Sequence, residues 1–240
     1  MDSRRLAYLK ALEIDVWEPR GAAPAVVSRV AEPTAEPATA PAAQARANVA
    51  TMDWPALEDA IRRCTLCDLY KTRTQGVVGV GDRAAQWMVI GEAPGADEDR
   101  QGEPFVGRAG QLLNSMLKAI GLAREQVFIA NILKSRPPGN RDPRPEEVRA
   151  CIPYLYRQIE LINPRLILCV GRIAAQTLLQ VDTPIGKLRG TVHRIAGDRP
   201  MIVTYHPAYL LRSPGEKRKS WSDLLMAMQT FEQVAGGGAP

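Results

Sequence analysis

The sequence predicts an α/β protein: a three-layer α/β/α sandwich around a mainly parallel central sheet of about four strands. Three observations carry this. From Trp87 onward, short apolar runs alternate with amphipathic helical stretches. The runs are continuously apolar, as strands covered by helices on both faces must be. Two of them end in tight loops, Gly91-Glu92-Ala93-Pro94-Gly95 and His206-Pro207-Ala208-Tyr209-Leu210. The strand ends of an open α/β sheet are where such folds place their sites.

Residues 1–18 carry Leu6, Leu9, Leu12 and Ile14 at spacings that suit a short amphipathic helix, a candidate docking element for a partner. Residues 19–50 are rich in Ala and Pro and lack aromatics, a composition that predicts a disordered linker. The globular domain is expected over 51–235, with a frayed Gly-rich tail at 236–240. It opens with a helix over Met52–Cys67, with Asp53 as N-cap and Pro55 in the first turn. The predicted strands are Trp87–Ile90, Val127–Leu133, Arg165–Val170 and Met201–Thr204, with a further extended piece at Val192–Ala196. The predicted helices are Ala109–Ile120, Pro145–Ile162, Ile173–Leu179 and Trp221–Val234. In the first of these, Leu112, Leu113, Met116, Leu117 and Ile120 form one stripe that Gly121 ends. Gly76, Gly79 and Gly81 superficially suggest a dinucleotide loop, but no strand precedes them, so they are read as turns.

Composition narrows the function classes. Of the 240 residues 45% are hydrophobic, enough for a real core. A net charge of +5 suits a nucleic-acid partner without requiring one. No apolar run approaches the roughly 20 residues of a membrane span, and no signal core follows Met1, so a monomeric cytoplasmic protein is expected. In that compartment the four cysteines point to metal ligands or core residues before disulfides.

The strand-end residues suggest a pocket. Phe105 offers an aromatic plate, Asn131 an amide, Glu92 and Glu98 carboxylates and His206 an imidazole. Together they suit a flat, hydrogen-bonding ring such as a nucleobase. On type and position alone, Phe105 reads as core before it reads as a plate. Cys64-Thr65-Leu66-Cys67 is a C-x-x-C that alone suits zinc, iron–sulfur or redox chemistry or is incidental, and its place closing a helix ahead of the sheet speaks against the redox reading. Cys151 and Cys169 fall on an apolar helix face and within an apolar strand, and on position alone read as small buried hydrophobes before metal ligands. Asp97 and Asp99 read as a solvated acidic stretch, and His193 as a surface or strand residue.

Several ordered motifs resemble those of the family 4 uracil-DNA glycosylases, the iron–sulfur branch of their superfamily, over about Ala60 to Leu224. They are Gly91–Gly95, Pro104-Phe105-Val106-Gly107-Arg108-Ala109-Gly110, Asn131, Arg136-Pro137-Pro138-Gly139-Asn140-Arg141 and Tyr205–Arg212. The resemblance implies hydrolysis of the N-glycosidic bond of deoxyuridine in single- or double-stranded DNA by base flipping, leaving an abasic site. It implies His206, Glu92 and Glu98 as catalytic groups, with Phe105, Asn131, Gly91 and Ala93 binding the base. Arg108, Gly110, Arg141, Leu210, Leu211 and Arg212 would handle DNA, with Tyr209, Leu210, Leu211 and Arg212 as a wedge. It also implies a [4Fe–4S] cluster on Cys64, Cys67 and Cys151. Where most relatives carry the remaining ligand this chain has Ser135, so the fourth position falls to Ser135 or to Cys169. Ala93 stands where the best-known uracil glycosylases use an Asp, which leaves the water-orienting carboxylate open between Glu92 and Glu98. A catalytically inactive DNA-binding relative is the alternative reading. A relative trapped covalently on the abasic sugar is disfavoured, because residues 134–145 hold no His.

Overall fold

The computed structural model describes residues 48–236. The expected helix at 1–18, nearly all of the 19–50 linker and residues 237–240 of the tail lie outside them. The chain order of elements is α1 (Trp54–Arg63), β1 (Val80–Gly81), β2 (Trp87–Gly91), α2 (Ala96–Gln101), α3 (Arg108–Ala119), β3 (Phe128–Asn131), α4 (Pro145–Ile162) and β4 (Leu166–Val170). There follow α5 (Arg172–Leu179), α6 (Ile185–Leu188), β5 (Val192–Ile195), β6 (Arg199–Thr204), α7 (Pro207–Arg212) and α8 (Lys217–Gly236).

The sheet has six strands in the order β1-β3-β2-β4-β6-β5. The four predicted strands form its parallel centre, β3-β2-β4-β6, and β1 and β5 add antiparallel edges. The short β1 carries no apolar run that would announce it. It forms because Val80 and Gly81 pair with Ile129 and Phe128, with Gly81 at φ 118°. A Cβ on Gly81 would lie 1.8 Å from the Val127 carbonyl oxygen, so only glycine allows that approach.

Within the central strands the side chains alternate between two cores, as a period of two dictates. Met88, Ile90, Phe128, Ala130, Ile167, Cys169, Met201 and Val203 face α4 and α5. Trp87, Val89, Ile129, Leu166, Leu168, Val170 and Ile202 face α3 and α8. Every residue of β2, β3 and β4 is buried, so both faces are covered and the runs had to be continuously apolar.

The first helix is shorter than its apolar periodicity suggests. Asp53 caps it by accepting from the Ala56 N–H at 3.0 Å, as expected. It ends at Arg63, because Cys64 leaves helical geometry (ψ 132°) and the Cys64–Cys67 segment turns away as a loop. Helix α4 matches its predicted bounds and tolerates Pro153 in its interior.

Register lines up the strand ends. Gly91 of β2 lies beside Asn131 of β3, and Val170 of β4 beside Thr204 of β6. From β2 the chain steps outward to β3 on one side and to β4 and β6 on the other, so the loops diverge at this edge and leave a crevice.

Candidate active site

A cavity of about 430 Å³ opens at this edge. It brings together Glu92, Ala93, Glu98, Phe105, Asn131 and His206, with Arg141 and Arg212 at its lining. Gly91 forms the wall behind. A Cβ there would lie 2.5 Å from Asn131 Oδ1 and 2.6 Å from Phe105 Cζ, so glycine is what lets the two side chains approach the strand end.

Asn131 is 3% exposed, and its Oδ1 has no hydrogen-bond partner among the described residues. A buried acceptor left unpaired costs about 1–3 kcal/mol, and a ligand N–H would recover that. Its backbone is held firmly. The Lys134 ammonium, itself buried, donates to the Asn131 carbonyl at 2.8 Å and to Gln158 Oε1 at 2.6 Å. Burial pulls the Lys134 pKa down to about 7.

His206 caps the N-terminus of α7, its Nδ1 accepting the Ala208 N–H at 3.1 Å. That bond assigns the ring proton to Nε2 in the neutral imidazole. Burial, helped by the Arg212 charge, lowers the His206 pKa to about 4, so the ring is a neutral donor at physiological pH. Phe105 stacks on it, with centroids 5.5 Å apart and planes at 30°.

Glu92 is buried enough that desolvation, reinforced by Asp142 and opposed by Arg172, raises its pKa to about 7. Glu98 differs. Its Oε1 accepts from the Val106 and Gly107 N–H groups at 3.1 and 3.3 Å, and its Oε2 from Gly95 N–H at 3.1 Å. Three of its acceptor positions go to shaping two loops, and the carboxylate still lines the cavity.

Phe105 adopts a left-handed backbone, φ 55°, which costs a bulky residue about 1–3 kcal/mol. Arg124 secures this turn, donating to the Pro104 carbonyl at 2.6 Å and the Phe105 carbonyl at 3.2 Å. Gly110 sits directly beneath. A Cβ there would lie 1.7 Å from the Phe105 carbonyl oxygen. Gly110 is buried and makes room for the turn, which corrects its expected role as a DNA contact.

Residues 78–225 match the family description "Uracil DNA glycosylase superfamily". The chain belongs to this superfamily. It is 48% identical to the Type-4 uracil-DNA glycosylase of Archaeoglobus fulgidus, over 70% of this chain and 89% of that protein. It is 43% identical to the Type-4 uracil-DNA glycosylase of Pyrobaculum aerophilum, over 73% and 93%, and 46% identical to that of Saccharolobus solfataricus, over 66% and 77%. The residues of this superfamily member that line the cavity all fall inside the matched span; Cys64, Cys67 and Arg73 precede it.

The cysteines of this superfamily member divide three to one. Cys67 and Cys151 are neighbouring thiols. The Cys151 thiol beside it lowers the Cys67 pKa to about 7, while Cys67, burial and the nearby Cys64 hold Cys151 protonated well above the usual thiol range. Cys64 packs against the cluster that contains Tyr154, whose hydroxyl pKa burial and then Cys64 raise. Ser135 Oγ accepts from Arg73 at 2.6 Å, and Arg73 also donates to the Cys64 carbonyl at 2.9 Å. Cys169 is elsewhere. It is wholly buried in β4 between Ile90 and Val203, and burial alone raises its pKa. Strand β2 separates β3 from β4, so Cys169 lies apart from the segment after β3 that carries Ser135, and its expected candidacy as fourth ligand is corrected to that of a core residue. Among the described residues no group of three or more His, Cys, Asp or Glu side chains closes into a metal-binding set.

The expected DNA-handling residues also divide. Arg108, Leu211 and Arg212 are exposed. Leu210 is 1% exposed and packs in the core beneath α3 and α8, so the apolar part of any wedge is Leu211 and Tyr209. Arg141 forms a bidentate pair with Glu147 at 2.9 and 2.5 Å and is not a free cation. Asp99, expected in solvent, is buried and accepts from the Thr74 N–H and hydroxyl, tying α2 to the preceding loop. His193 lies in β5 with its Nε2 2.7 Å from the Leu188 carbonyl oxygen. Among the described residues no helix is long and apolar enough to cross a membrane.

Proposed function

We propose that this chain is a monofunctional uracil-DNA glycosylase that hydrolyses the N-glycosidic bond of deoxyuridine and leaves an abasic site. The single observation carrying this is the unpartnered, buried Oδ1 of Asn131 beside Phe105. An amide in that position accepts from the uracil N3–H and donates to O4. Cytosine presents the opposite pattern and would leave buried groups unpaired, an effective means of rejection. The target nucleotide is flipped out of the stack at a cost of a few kcal/mol, recovered partly by stacking on Phe105 at roughly 1–3 kcal/mol.

His206 Nε2–H donates to uracil O2, where negative charge grows as the bond to N1 breaks. A neutral donor in a dry site suits this, because it is already oriented and needs no proton from solvent. Glu92, as the carboxylate, orients water and balances the cationic sugar. Exposed Arg108 and Arg212 contact phosphates, and Leu211 with Tyr209 fills the space left in the stack.

The donors near α1 fit an iron–sulfur group in kind: Cys67 and Cys151 are neighbours, Cys64 ends α1 three residues before Cys67, and Arg73 ties Ser135 to the Cys64 carbonyl. Cys64, Cys67 and Cys151 would hold a [4Fe–4S] cluster with Ser135 as the oxygen ligand. When bound, such a group supplies a covalent cross-link between the α1 loop, α4 and the segment after β3. Arg73 keeps Ser135 and the Cys64 loop together.

Anaerobically purified protein is incubated with end-labelled DNA carrying one uracil, then treated with alkali. Breakage at the uracil that is lost in His206→Ala and Asn131→Ala supports the proposal. A folded, iron-loaded protein that produces no break sinks it in favour of a DNA-binding role without excision.

A further inference from the structure

The turn that carries Phe105 is gripped at both electrostatic ends. Its carbonyls at Pro104 and Phe105 point to the Arg124 guanidinium, 2.6 and 3.2 Å away. Its N–H groups at Val106 and Gly107 point to Glu98 Oε1, 3.1 and 3.3 Å away. Arg124 is itself steadied by Asn114 Oδ1 at 3.2 Å, and Glu98 by the Gly95 N–H at 3.1 Å. A cation on the carbonyl side and an anion on the N–H side both stabilise the dipoles of the same turn. Without them the backbone of Phe105 would relax from φ 55° toward the extended region that a bulky residue prefers, and the ring would leave its place above the strand end.

We propose that Arg124 and Glu98 are positioning residues that clamp the Phe105 turn and so hold the aromatic plate at the geometry needed to stack on the base. The proposal rests on the assignment of Phe105 as the stacking residue. Neither side chain need touch substrate. Arg124 comes from the short turn before β3, far in sequence from the Pro104–Gly107 segment it organises, and the Glu98 carboxylate is committed to backbone donors. The clamp also links the Phe105 turn to the Gly95 loop through one carboxylate, so two walls of the cavity share one anchor.

The test is a double-mutant cycle on the full chain, read by single-turnover excision from uracil-containing DNA and by inhibition with free uracil. Arg124→Met keeps the stem and removes the donors. It is expected to slow excision roughly tenfold and weaken uracil inhibition by a similar factor, the scale of a lost base stack. Binding to DNA that already contains an abasic site is expected to stay unchanged. Arg124→Lys restores most of the loss, because an ammonium can still reach one carbonyl. In a Phe105→Ala background, Arg124→Met is expected to cost less than about twofold, since both changes remove one and the same interaction. Glu98→Gln, which leaves one acceptor and removes the charge, repeats the cycle should Arg124→Met fail to fold. A full tenfold loss from the clamp variant in the Phe105→Ala background, or unchanged uracil inhibition in the single variant, overturns the clamp. Wild-type protein that excises no uracil overturns the glycosylase assignment instead, so the two failures are distinguishable.

Discussion

Glu92→Gln should make the protein more stable and less active at once, with both effects set by one pKa. In the folded protein burial first, and Asp142 second, raise the Glu92 pKa from 4.5 to about 7. Between those values the folded state holds a proton that the unfolded chain has lost. Stability therefore falls as pH rises through this window, reaches its full deficit above about pH 7, and shows none below about pH 4.5. Moving a carboxyl that far costs up to roughly 3 kcal/mol, and partial solvation of the side chain reduces this to about 1–2 kcal/mol. Glutamine has the same shape and no charge to bury. Urea unfolding under anaerobic conditions should therefore show Glu92→Gln and wild type equal near pH 4.5 and the variant ahead by about 1–2 kcal/mol near pH 8. Single-turnover excision by wild type should rise with pH through a midpoint near 7, since the carboxylate is the active form, while the variant is flat and slower by roughly 10²–10⁴. Asp142→Asn should move the wild-type midpoint downward, because it removes a charge that opposes ionisation. A stability difference that is the same at both pH values, or a wild-type midpoint near an ordinary carboxyl value, would refute the reasoning.

Three further outcomes are expected. Gly91→Ala places a methyl 2.5 Å from Asn131 Oδ1 and 2.6 Å from Phe105, so it should cost about 1–3 kcal/mol in chemical unfolding and abolish uracil inhibition while leaving affinity for undamaged DNA intact. Leu210→Ala should destabilise by about 2–5 kcal/mol in urea, whereas Leu211→Ala should leave stability within about 0.5 kcal/mol and slow excision from duplex more than from single strands. Iron and acid-labile sulfide analysis of anaerobically purified protein should find Cys169→Ala unchanged from wild type and Cys151→Ala depleted; equal depletion of both would place Cys169 among the ligands.

The helices and the parallel strands were legible because each satisfies one rule repeatedly. Pro145–Ile162 keeps its apolar period over several turns, and the runs at Trp87, Leu166 and Met201 are apolar throughout because both faces of the sheet are covered. The pocket residues Glu92, Phe105, Asn131 and His206 were legible from strand-end position and motif. The failures share a different cause. Leu210 and Leu211 are adjacent leucines, and only the packing of α7 against α3 decides which one is buried. Asp99 was placed in solvent because an acidic run normally is, yet one turn of α2 directs it at the Thr74 backbone. Gly110 lies in a Gly-Arg-Ala-Gly motif that suggests phosphate binding, while its need for glycine comes from a carbonyl oxygen approaching from the neighbouring turn.

What the sequence by itself determined is the alternation of elements, the edge of the sheet that carries the site and the chemical types gathered there. Those depend on periodicity and on residues a few positions apart. What the tertiary structure alone decided is the assignment of work among similar groups: Glu92 free in the cavity and Glu98 bound to backbone, Cys151 beside Cys67 and Cys169 in the core, Arg124 under the Phe105 turn. Carboxylates, thiols and guanidiniums are chemically alike along the chain. Their burial and their hydrogen-bond partners differ only once strands distant in sequence lie side by side, and it is burial and partners that set pKa, orientation and availability.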